Sequence, residues 1–226
     1  MLFRPPSRFQ GLPAEAFEAF GIPGRDARRR AIIDGFHPAL KLLGEDLLEV
    51  LGPLTKAPLH AHLPRLDWPQ GYQPFCTWLA VSHERHGYQN APQLNVGVHA
   101  GYVAVRLAWD TAADAFGRFE FLCRHGGLGE SLAEVAASRG CRFRVYAAAP
   151  WPEGSRRVFE SATDWQGSFV ELRRRGVWWE VGQRFELPEE AGRVQSPGLG
   201  DDASAAFAAF LPGLDRAVGL AADLPA

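Results

Sequence analysis

His60-Ala61-His62 sets two imidazoles at i and i+2. On an extended strand such residues share one side, which is how a strand can offer two nitrogens to a metal. A metallo-hydrolase would continue with Asp two residues on, where this chain has Pro64, so a third ligand would have to come from His83, His99 or Asp67. His60 and His62 are the candidate metal pair, and hydrogen-bonded or surface histidines are the simpler expectation. His83-Glu84-Arg85-His86 is one residue short of the HExxH spacing that puts two imidazoles on one helical face. The glycines of His125-Gly126-Gly127-Leu128-Gly129 join two predicted helices, where a C-cap explains them better than a phosphate loop does. The chain contains no GxSxG elbow, P-loop or dinucleotide fingerprint. Cys76, Cys123 and Cys141 fall within predicted elements without CxxC spacing, which argues against a zinc ribbon, a disulfide scaffold and a thiol nucleophile. No catalytic residue is assigned.

A second constellation is cationic. Arg65, Arg85 and Arg106, with His60, Tyr88 and Asn95, form a candidate set for holding a carboxylate or phosphate, because guanidinium forks match such anions. Arg106 lies in mid-strand beside uncharged polar groups, the feature that suggests a site.

The elements that must position these residues centre on Pro74–Asp110, which reads as three antiparallel strands. Phe75–Ser82 is nearly all apolar. Leu94, Val96 and Val98 alternate with Gln93, Asn95 and Gly97, and Val103, Val105 and Leu107 alternate with Tyr102, Ala104 and Arg106. His99-Ala100-Gly101 fits a hairpin. A consistent register gathers Gln93, Asn95, Arg106 and Thr77 on the face away from the core, either as a solvated face or as a ligand-binding concavity. Before the meander come a short helical turn over Leu12–Phe20, a long helix over about 26–51 that Pro38 should kink or split, and a strand at Pro58–Leu63. After it come helices near 114–125 and 131–139, a strand at Cys141–Ala148, a loop at Pro150–Ser155 and a helix over Glu160–Arg175. A strand at Val177–Leu187, a loose connection over Pro188–Asp202 and a last helix from Asp202, interrupted at Pro212-Gly213, complete the chain. The fold class is α+β: a mostly antiparallel sheet of about six strands with helices packed on one face, in one domain over 1–226, with loose termini at 1–11 and 221–226.

Length and composition agree. The 226 residues bury a substantial core, and seven Trp with fifteen Phe belong to a folded globule. A formal charge of −2 argues against binding nucleic acid by bulk electrostatics, a local basic patch aside. No apolar run is long enough to span a membrane and no leader pattern opens the chain, so a soluble cytoplasmic protein is expected. No cofactor is called for.

The order of Phe17-Glu18-Ala19-Phe20, a long helix carrying His37-Pro38, and a meander with Arg85-His86-Gly87-Tyr88 then Gln93-Leu94-Asn95-Val96-Gly97-Val98 resembles the YktB-like family of uncharacterised bacterial cytosolic proteins. The resemblance extends over roughly residues 12–220 by element order, and its specific motifs lie within about 26–110. It implies an antiparallel sheet with packed helices. The family's loop has the pattern Lys-Arg-Gly-Tyr-Lys; here Arg85 stands for the first Lys, His86 for the Arg and Gln89 for the last Lys. His60 and Arg65 match the family's first strand. With no functional residues assigned in the family, the resemblance transfers none. The expected function is a non-catalytic binding protein for a small anionic ligand on the polar sheet face. A hydrolase using His60, with a metal or as a base, is one alternative, and a homodimeric or partner-binding protein is another.

Overall fold

The computed structural model describes residues 7–67, 73–110, 116–147, 157–159 and 177–220. The helix expected over Glu160–Arg175, the loop over Pro150–Ser155, and the terminal segments 1–6 and 221–226 lie outside these residues. The α+β expectation holds. Among the described residues, seven strands form one antiparallel sheet in the order β1-β2-β3-β4-β7-β5-β6. They are β1 (His60–His62), β2 (Cys76–Ser82), β3 (Gln93–His99), β4 (Tyr102–Asp110), β5 (Arg142–Ala147), β6 (Arg157–Phe159) and β7 (Val177–Glu186). The strand missing from the sequence-based count is β6, whose three residues are too few to show a period.

Register explains how the sheet divides. Val96 pairs with Leu79 and Val105, Leu94 with Val81 and Leu107, and Val98 with Val103, so one face carries only apolar side chains from the meander apart from Thr77. This face packs on α1 (Arg25–Leu51) and the C-terminal helix α5 (Gly198–Ala217). Ile32, Phe36, Leu40, Leu43, Leu47 and Leu51 of α1 meet it with Phe207, Phe210, Leu211 and Leu214 of α5, each at most 1% exposed. Helices α2 (Phe116–His125) and α3 (Leu128–Arg139) flank α5, and α4 (Ala191–Val194) is a single turn before it.

Four expectations need correction. Pro38 does not split α1, and Pro212 does not interrupt α5; both helices run unbroken. Each proline removes one backbone donor. Each also lies on an exposed position, while the buried stripe continues on either side and holds the helix together. The connection 188–202 is not loose. Val194 and Leu199 are fully buried, Leu12 N–H donates to Val194 O (3.0 Å), and α5 begins at Gly198 rather than Asp202. Gly11, with φ +118°, lets the two segments touch, since a Cβ there would lie 2.2 Å from the Gln195 carbonyl carbon. Finally, residues 7–11 are packed. The Asp46 carboxylate of α1 accepts from Ser7 Oγ (2.7 Å) and from the backbone N–H groups of Arg8 (2.8 Å) and Phe9 (3.0 Å), seating a fully buried Phe9.

Thr77 is on the helix-covered face, not with Asn95: it pairs with Val98 and hydrogen-bonds His37 Nε2 at 3.0 Å. Burial, and then the nearby Arg29 charge, lower the His37 pKa below its ordinary value. The folded chain therefore binds fewer protons than the unfolded chain between that lowered pKa and the ordinary one near 6.5, and stability falls as pH drops through this window. Thermal melts of wild type and His37→Gln are expected to show a smaller fall between about pH 7 and 5.5 for the variant. Identical pH profiles would contradict this role.

A candidate anion-binding cleft at the sheet edge

Beyond β1 the chain runs from Leu63 to Asp67 along one side of a cleft of ≈ 800 Å³. The β2–β3 connection, Arg85–Asn90, forms the other side, and Trp78 of β2 lines it between them. Three expected site residues, Arg65, Arg85 and Tyr88, meet here, together with His62 and His86. Tyr88 begins a single turn of 3-10 helix after Gly87 (φ 69°), which turns the Tyr88 ring onto His62 in a parallel stack at 4.4 Å and 8°. His62 Nε2 lies 2.8 Å from the Glu84 carbonyl, which only accepts, so this nitrogen carries the hydrogen. Burial lowers the His62 pKa, which keeps the ring neutral at neutral pH and leaves Nδ1 an acceptor.

The 63–67 side is held by a residue distant in sequence. Arg29 of α1 donates from Nε (3.0 Å) and Nη2 (2.8 Å) to the Arg65 carbonyl, and Nη2 pairs with Asp67 at 3.0 Å. Between them Leu66, 2% exposed, takes φ +55°, a left-handed conformation that costs a non-glycine residue about 1–3 kcal/mol. The clasp also settles the charge of the cleft. Asp67 is already paired, whereas the exposed Arg65 and Arg85 side chains make no ion pair among the described residues. Two guanidinium charges are left in excess.

His60, Asn95 and Arg106 are elsewhere. His60 shares a strand face with His62, its ring centroid 6.4 Å away, yet it does not line the cleft. Among the described residues no three His, Cys, Asp or Glu side chains cluster to hold a metal. The three residues expected to complete the pair are committed to other contacts. His83 bridges Asp215 (2.8 Å) and the Pro58 carbonyl (3.0 Å), His99 stacks on Tyr102 at 4.2 Å, and Asp67 is bound by Arg29. The cysteines are free and buried, and burial pushes the Cys76 thiol up to about 12, far from a reactive thiolate.

Asn95 and Arg106 do share the face opposite the helices with Gln93, but that face is neither solvated nor open at these residues. Asn95 is 3% exposed, Gln93 0% and Glu180 2%. Arg106 pairs with Glu180 through Nη1 and donates from Nε to Asn95 Oδ1 (3.0 Å); Asn95 Nδ2 donates to Gln93 Oε1 (3.0 Å), and Gln93 Nε2 to the Tyr88 carbonyl (3.4 Å). Arg184 adds a second contact to Glu180 at 3.5 Å. The guanidinium lies over Gly97, where a Cβ would come within 2.7 Å of Nη2. This chain of polar groups ends on the backbone carbonyl of the cleft's Tyr88. Sequence reasoning missed Arg29, Trp78 and His86 as parts of the site. Arg29 stands in a basic cluster at the start of α1, and no local pattern links it to this clasp, because it acts on a carbonyl 36 positions away.

With sheet, cleft and supporting network in place, the chain is an α+β protein whose basic and aromatic cleft lies at the β1 edge of its sheet. Residues 13–115 match the family described as "Domain of unknown function (DUF1054)". Over 101 residues the chain is 32% identical to a UPF0637 protein of Listeria innocua, covering 45% of this chain and 50% of that protein. Over 98 residues it is 34% identical to a UPF0637 protein of Oceanobacillus iheyensis, covering 43% and 48%. The expected kinship with an uncharacterised bacterial family is thereby borne out over this segment, and the chain spans about half the length of the curated relatives it matches. Every residue lining the cleft falls inside the matched segment, while Glu180 and Asp215 fall outside it. Among the described residues, no helix is long and apolar enough to cross a membrane.

Proposed function

We propose that the cleft binds a small anionic molecule, with Arg65 and Arg85 as its charge-bearing contacts. The observation that carries this reading is that neither makes an ion pair among the described residues, beside a carboxylate, Asp67, that Arg29 already neutralises. An anion entering between the two guanidiniums gains charge-assisted hydrogen bonds without displacing an internal partner. Binding rather than turnover suits the lining, because the most enclosed imidazole there, His62, has Nε2 engaged by the Glu84 carbonyl and its ring by Tyr88. The site so defined is the edge cleft and not the polar face around Arg106. Native mass spectrometry of gently purified protein, followed by calorimetric titration with phosphate and citrate, tests it. A retained anion, or saturable binding that weakens with salt, is the expected result. A bare mass together with no heat of binding at roughly millimolar anion would refute it.

A further inference from the structure

Anion capture alone leaves three features of the cleft unexplained. Its ≈ 800 Å³ of open space leaves room for more than an inorganic oxyanion. Aromatic side chains line it beside the two arginines. Trp78 lines it while only half-buried, and among the described residues its indole stacks on no other ring, whereas Tyr88 and His62 already stack on each other. An indole at a basic cleft is a stacking platform of the kind that holds nucleobases, whose flat faces gain from an aromatic partner whatever their edge pattern.

From this juxtaposition we infer that the ligand is a nucleoside monophosphate. Its base lies against Trp78, and its phosphate, with two negative charges near neutral pH, lies between Arg65 and Arg85. His62 Nδ1, the acceptor left by the Nε2 hydrogen bond to Glu84, meets a donor on the base or the ribose. Recognition thus needs both ends of the molecule, the ring for the indole and the phosphate for the guanidiniums. This inference rests on the anion-binding reading and adds the ring to it.

Calorimetric titration of the full chain with adenosine 5′-monophosphate, adenosine and inorganic phosphate separates the two ideas. The monophosphate is expected to bind about tenfold or more tighter than phosphate, the gain that one base–aromatic stack supplies. Trp78→Leu is expected to remove that gain, so that the monophosphate binds the variant no tighter than phosphate does. Equal affinity of the monophosphate and phosphate for the wild-type chain would overturn the nucleoside assignment and leave the anion site standing. Adenosine binding as tightly as its monophosphate, with no phosphate binding, would overturn the role of the arginines. Absence of binding by all three probes would overturn both. The wild-type comparison decides the matter even where Trp78→Leu does not fold.

Discussion

Arg106→Leu is expected to destabilise the protein by about 3–5 kcal/mol, because it removes one member of a buried ion pair. Glu180 is 2% exposed, and Arg106 pairs with it while also donating to Asn95. Removing the guanidinium leaves Glu180 with Arg184 at 3.5 Å among its remaining contacts, and breaks the hydrogen-bonded path through Asn95 and Gln93. Urea unfolding followed by tryptophan fluorescence measures the loss. The paired change Arg106→Leu with Glu180→Leu is expected to recover much of it, since replacing both members of a buried ion pair is far cheaper than removing one. Affinity for anions, measured on the folded fraction, is expected to stay within about twofold, because the guanidinium does not line the cleft. A stable Arg106→Leu variant that has lost anion binding would reverse the assignment and restore the sheet face as the site.

Arg65→Ala and Arg85→Ala are each expected to weaken anion binding about tenfold to a hundredfold, as expected when a charge-assisted contact worth about 1.5–3 kcal/mol is removed. Both side chains are exposed and neither has an ion-pair partner among the described residues, so melting temperatures should barely move. Arg85→Lys is expected to be intermediate, since an ammonium keeps the charge but not the fork. The losses should shrink as salt rises, because the wild-type affinity is itself partly screened. Calorimetry at two ionic strengths reads both effects. Unchanged affinity in the double Arg65→Ala, Arg85→Ala variant would mean that the anion is held elsewhere.

The two sets of residues show where sequence reasoning stops. Arg65, Arg85 and Tyr88 were expected in one site and do share the cleft, and Asn95 and Arg106 were expected on one sheet face and do share it. They were expected together in a single site, and the structure places the two sets apart. Alternation assigns a residue to a face, but it carries no information on whether that face is open. Gln93 and Asn95 look the same in sequence whether they meet water or a buried guanidinium, and the deciding partner, Glu180, lies 74 positions from Arg106. The segment 188–202 was misread for a related reason. Its glycines, prolines and charges resemble a surface connection, yet Val194 and Leu199 are buried against elements far away in the chain. Proline was over-weighted in α1 and α5, where the missing hydrogen bond is local and the stabilising packing is not.

The sequence by itself determined what depends on neighbours: the apolar stripe of α1, the alternation that makes β3 and β4 one-sided, the hairpin at His99–Gly101, and the presence of basic residues around β1 and the β2–β3 connection. These follow from periods of 3.6 and 2 and from the chemistry of single residues. Only the tertiary structure decided that Arg29 would clasp the Arg65 carbonyl, that Asp67 would be neutralised and Arg65 and Arg85 would not, that Tyr88 would stack on His62, and that Arg106 would be shut away with Glu180. Each of those outcomes is a choice of partner across 26 to 74 residues or between competing partners. Side-chain periodicity sets which way a residue faces, and it takes the assembled sheet and helices to set what it meets there.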